Sequence, residues 1–172
     1  MDELRAPGVT RIATKYGLIQ GVLSFAVNVA STLAGIKANW VAVVFHTALL
    51  VVFMVLAHRE FKRTHRGIMT YPEGLGSGTL LSIVAAVVAA VLVYVYLNYI
   101  NTRTLAAAIQ AQQAALEQRG ITGAQAHQAM QIIGAVTTPV GVAVLSAIVA
   151  VIVGFIVALI VSIFTQSATL RS

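Results

Sequence analysis

Chemistry in this sequence would have to come from few side chains. There is no cysteine, which removes disulfides, thiolate metal ligands and thiol nucleophiles together. All five acidic residues, Asp2, Glu3, Glu60, Glu73 and Glu117, fall outside the long uncharged blocks or at their edges. A proton-coupled antiporter of the small four-helix kind would keep a carboxylate inside a block, so that class is not expected. His46 is the titratable side chain set deep in a block. An imidazole there could relay protons or sense pH. The commoner role of an intramembrane polar group is a hydrogen bond to a neighbouring helix, and that is the role expected of His46. Gln20, Asn28 and Ser82 are read the same way, with Ser24, Ser31, Thr32 and Thr47 beside them.

A serine nucleophile is the other option. Leu75-Gly76-Ser77-Gly78 resembles the serine loop of intramembrane proteases, but Leu75 stands where a glycine would be wanted. Depth also separates the pair, because His46 lies about twelve residues, or ~18 Å, from the inner end of its block, whereas Ser77 is close to the inner end of its own. A general base must come within ~3 Å of its nucleophile. No catalytic residue, cofactor or metal site is therefore expected, and the chain is read as a non-enzyme.

The elements that must position these side chains are helices in a bilayer. The chain is 59% hydrophobic and 9% charged, against roughly 25% charged residues in a soluble domain. Its apolar residues lie in blocks near the ~20 residues that cross ~30 Å of hydrocarbon. Four spans are expected, at about 16–36, 38–57, 75–100 and 139–164, in a single membrane domain covering 1–172. The first block is too long for the centre of a cleavable signal. The link Lys37 to Asn39 is short enough to make the first two spans an antiparallel hairpin. Residues 58–74 form a basic loop, in which Pro72 and Gly74 mark a turn. The mixture of Tyr94, Tyr96, Asn98, Tyr99 and Asn101 places the end of the third span at headgroup level.

Residues 102–138 differ, being rich in Ala and Gln, which favour helix. Two helices are expected, from about Thr102 to Arg119 and from Gly123 to Val136, broken at Gly120, with Thr122 as a cap. The fold class is thus all-α, with four transmembrane helices and a helical hairpin between the third and fourth. With the N-terminus inside, Arg5, Arg11, Lys15, Arg59, Lys62, Arg63, Arg66 and Arg171 are cytoplasmic, and Lys37, Arg103 and Arg119 are outside. The positive-inside rule favours that orientation, leaving loop 58–74 and both termini cytoplasmic and the hairpin 102–138 exported.

Contacts can be assigned to types of residue. Gly17 and Gly21 form a small-xxx-small pair, and Gly154 offers a similar flat face. Such residues let helix backbones approach, here within the four-helix unit in preference to between copies. Arg59, Lys62, Arg63 and Arg66 are candidates for lipid headgroups, at ~1 kcal/mol per basic residue near the surface, as well as determinants of topology. The +6 charge does not point to nucleic acid, since the basic residues sit at block ends.

With the spans in place, the chain resembles the DUF4199 family of small bacterial membrane proteins of unknown function, of the Bacteroidetes type. The matching pieces are Ala13 through Gly21, His58 through Lys62, Tyr71 with Glu73, and Tyr94 through Asn101. Further matches are Ala115 through Ile121 and Gln128-Ala129-Met130. The sequence departs at Pro72 and at Gly74 to Gly78, where the family tends to a Gly-Glu-Ala-Phe-like stretch. The resemblance implies a multi-pass protein of the bacterial inner membrane and carries no activity, cofactor or catalytic residue with it. The reading that results is a non-enzymatic structural or assembly component, in contact with membrane lipids and with its own copies or a larger membrane complex. The alternative is a transporter or channel subunit for a neutral or lipidic solute, its path lined by Gln20, Asn28, His46 and Ser82.

Overall fold

A computed structural model describes residues 8–33 and 39–167. The expectations placed on Asp2, Glu3, Arg5, Lys37 and Arg171, and on the link between the first two spans, lie outside the described residues. The regular elements of the described residues are all helical: α1 (Val9–Leu33), α2 (Asn39–Thr64), α3 (Tyr71–Val95), a π-helical turn (Tyr96–Ile100), α4 (Arg103–Gln118), α5 (Gly123–Val136) and α6 (Pro139–Thr165). Four of these helices, α1, α2, α3 continued through the π turn, and α6, are long and apolar enough to cross a membrane. With no water to satisfy exposed amides, a helix is the form a single hydrocarbon-spanning segment can take.

The spans run further than hydropathy indicates. The basic stretch expected in the loop 58–74 continues α2 as far as Thr64. Lys and Arg are good helix formers, and Lys62 and Arg63 occupy the last turn, where cations meet the negative end of the helix dipole. α3 in turn starts at Tyr71, because Thr70 and Glu73 form a capping pair. The Glu73 carboxylate accepts the Thr70 backbone N–H and the Thr70 hydroxyl, both at 2.8 Å, the return half of a capping box. Pro72 is harmless in a first turn, where its missing N–H would have had no partner. The loop shrinks to residues 65–70.

The chain divides into two compact units, residues 1–89 with 147–172 and residues 90–146. The first holds the main core, built by Ile12, Met54, Phe61, Met69, Leu81, Ala158 and their neighbours. The second holds the hairpin of α4 and α5, whose boundaries fall close to those expected. Its break is a Schellman turn: Gly120 has φ +71°, Ile121 N–H reaches Leu116 O at 3.0 Å and Gly120 N–H reaches Glu117 O at 3.0 Å, so the last carbonyls of α4 are satisfied. Thr122 stands at the N-cap of α5 with an extended backbone but makes no side-chain cap bond. At the end of α3 the Asn101 N–H bonds Tyr96 O at 2.8 Å, five residues back, and the Asn101 amide donates to the Tyr96 hydroxyl at 3.1 Å.

Candidate functional site

The helix contacts of the spans are set by residues with almost no side chain. A Cβ added to Gly17 would lie 2.7 Å from Leu81 O, and one added to Gly21 would lie 2.7 Å from Ala85 O. α1 therefore rests directly on the backbone of α3. Gly154 of α6 meets Ser82 of α3 so closely that an added Cβ would overlap the serine side chain, and Gly78 of α3 faces Ala158 of α6 and Met54 of α2. In hydrocarbon, association between helices comes from such van der Waals contact and from hydrogen bonds. Gly17, Gly21 and Gly154 thus all serve contacts within this chain.

The four polar residues that could have lined a path go separate ways. Gln20 is buried, and its amide reaches the Ser24 hydroxyl at a long 3.5 Å. The His46 Nε2 donates to the Ser24 carbonyl at 3.1 Å, linking α2 to α1. Ser82 turns back on α3 and donates to Gly78 O at 2.9 Å. Asn28 is exposed, and its backbone carbonyl accepts the Thr32 hydroxyl at 2.9 Å. Two of the four share Ser24, one belongs to the α3–α6 contact and one faces outward. A solute path needs them around one cavity, and these bonds do not gather them there. The Ser77 hydroxyl is buried with no hydrogen-bond partner, so it forms no pair with His46.

A buried polar junction involves a residue read above only as part of the basic run. His58 is 1% exposed. Its Nε2 lies 3.0 Å from Gly74 O and its Nδ1 lies 2.7 Å from the Thr165 hydroxyl, tying α2 to α3 and α6. A carbonyl only accepts, so Nε2 carries a proton. The Thr165 hydroxyl also lies 2.8 Å from Val161 O and has one proton to give. It either donates to Nδ1 of a neutral ring or accepts from an imidazolium while turning to Val161. Ser77 and Ser162, both fully buried, add unpartnered hydroxyls to the buried polar groups of α3 and α6. The signal was present in the spacing, since Met54, Ala57, His58 and Phe61 are all buried and fall on one helical face.

A second junction closes the same stretch of α2 against α1. The Glu60 carboxylate takes the Lys15 ammonium at 2.8 Å and the Tyr16 hydroxyl at 2.6 Å. The end of α6 is strapped to the loop: the Ser167 hydroxyl donates to Gly67 O at 2.8 Å, its oxygen accepts Met69 N–H at 3.2 Å, and Ser167 N–H reaches Met69 O at 2.9 Å. Beside these junctions Arg59, Arg63 and Arg66 are exposed, and Lys62 is half-buried.

In the hairpin, α4 and α5 bury no residue. Leu116, Ile121 and Met130 line an open groove there with Gln113, Glu117 and His127. No curated protein and no solved structure matches this chain. The sequence model of one family does, over residues 15–167, a stretch that takes in most of the first span, the other three, both junctions of α2 and the hairpin. On that match the chain belongs to the DUF4199 family, described as proteins of unknown function.

Proposed function

We propose that this chain is a non-enzymatic protein of a bacterial inner membrane and an assembly or interaction component within it. Both termini are cytoplasmic, and the exported α4–α5 hairpin is its contact surface for self-association or for a larger membrane complex. One observation carries the reading: α4 and α5 bury no side chain, yet they present Leu116, Ile121 and Met130 along a groove and leave Ile132 68% exposed. Helices of 16 and 14 residues are marginal in isolation, since most helix stability in proteins comes from packing an amphipathic face. A contact partner would supply that packing.

The test is purification in a mild detergent with residues 102–138 intact or replaced by a Gly-Ser linker. The replacement is expected to lose co-purifying partners or to reduce the oligomer mass measured by light scattering. An unchanged partner set together with an unchanged mass would refute the proposal. Orientation has its own check, in which a cysteine at Gln112 labels from outside intact cells and one at Thr64 only after permeabilisation; the reverse pattern would overturn the assignment.

A further inference from the structure

The face of α2 turned away from the core changes character at one level. At 100° per residue, Val52, Leu56, Arg59 and Arg63 fall within an arc of roughly 60°. Val52 is 52% and Leu56 39% exposed, and Arg59 and Arg63 are exposed as well. Arg66, also exposed, follows at the next turn, just past the end of the helix. Lys62, half-buried, sits about 100° from Arg63 and lies off this row. An apolar track thus runs straight into three guanidinium groups.

None of the three makes a salt bridge among the described residues, and Arg63 acts on the Glu60 carboxylate only through space. The ion pair among the described residues is Lys15–Glu60, so Glu60, the acid next to Arg59, is turned onto α1. Glu73, the acid of the following helix, is held by Thr70. Glu60 stands about 60° around the helix from Arg63, but its bonds go to Lys15 and Tyr16 of α1, which leaves the guanidinium groups of the row without a bonded carboxylate.

Arg66 adds an independent observation. The Gly67 N–H closes α2 on Lys62 O at 2.8 Å, which puts Arg66 at the left-handed position just beyond a helix end, with φ 53°. Glycine fills that position at least cost, and Arg66 is the non-glycine residue with positive φ among the described residues. The loop is also pinned by Ser167. A strained backbone held by its surroundings is a mark of a site where the side chain matters.

We infer that this face binds an anionic phospholipid, its phosphate held by Arg59, Arg63 and Arg66 and an acyl chain lying along Leu56 and Val52. Guanidinium forks match phosphate oxygens in pairs, which an ammonium cannot do. The apolar track in register below the arginines distinguishes a lipid from a soluble phosphate. The site is independent of the hairpin reading and is tested without it.

The experiment is native mass spectrometry of the detergent-solubilised full chain, titrated separately with dioleoyl phosphatidylglycerol, dioleoyl phosphatidylcholine and glycerol phosphate. Phosphatidylglycerol is expected to bind more tightly than the other two. Changing Arg59, Arg63 and Arg66 together to Gln should weaken it about tenfold or more and leave phosphatidylcholine unchanged, while the triple change to Lys should fall between. Arg66→Gly guards against misfolding, because it relieves the backbone: its melting temperature should hold or rise while phosphatidylglycerol affinity falls. Equal binding of the two phospholipids, glycerol phosphate binding as tightly as the lipid, or an Arg66→Gly variant with undiminished affinity would each overturn the inference.

Discussion

α1 and α3 touch through Gly17 and Gly21, with backbone against backbone, whereas α4 and α5 lie side by side with no buried residue between them. The first pair sits in the spans, where lipid tails are as apolar as the side chains they would replace. Close approach and a few hydrogen bonds must therefore hold the helices. The second pair belongs to a segment rich in Ala and Gln, and its apolar side chains remain in an open groove. The contrast teaches that this chain spends its steric precision inside the bilayer unit. The α4–α5 hairpin keeps its shape by a glycine turn and helix propensity, with its apolar side chains in an open groove.

The sharpest way to break the comparison is to fill the glycine contact. Gly17→Val and Gly21→Val each place a side chain where a Cβ alone would lie 2.7 Å from a carbonyl of α3. Overpacking of that kind costs roughly 1–3 kcal/mol per site. The double variant should melt well below the parent in mild detergent, whereas valine at Gly134 of the hairpin, where an added Cβ meets nothing within 4 Å, should have a far smaller effect. Equal losses at the two places would show that the two regions are built alike.

An intermediate effect is expected at the junction of α2, α3 and α6. His58→Leu removes the bonds to Gly74 O and the Thr165 hydroxyl, worth about 0.5–1.5 kcal/mol each. The carbonyl and the hydroxyl retain partners of their own within their helices, which keeps the loss near the lower end. Protease sensitivity of the loop 65–70 should rise with it, since that loop is pinned to the end of α6 by Ser167.

The smallest effect belongs to His46. Its Nε2 donates to the Ser24 carbonyl, and interhelical bonds of this type average about 0.6 kcal/mol. His46→Gln should leave melting nearly unchanged, and His46→Leu should cost less than about 1 kcal/mol. A stable Gln variant that loses the cellular phenotype of a deletion would give His46 a task beyond packing, since an amide does not titrate as imidazole does.

Much of this molecule is written locally. The number of spans, the hairpin between the third and fourth, the break at Gly120 and the small-residue faces at Gly17, Gly21 and Gly154 follow from run length, turn chemistry and side-chain size, because hydrocarbon forces each spanning segment to satisfy its own backbone. Helix ends were less legible: the basic stretch after His58 reads as loop by hydropathy, yet Lys62 and Arg63 extend α2 and the Thr70–Glu73 pair starts α3 early. Partners were decided only in three dimensions. A sequence shows which face of a helix a residue occupies but not which helix lies across from it. Hence Gly17 and Gly21 on α3, His58 between Gly74 and Thr165, Glu60 on Lys15 and Tyr16, and the dispersal of Gln20, Asn28, His46 and Ser82 all awaited the packing of the bundle. The row of arginines also needed it. The bonds of Glu60 to Lys15 and Tyr16, which only the packing of α1 on α2 supplies, leave Arg59, Arg63 and Arg66 without a carboxylate in salt-bridge contact.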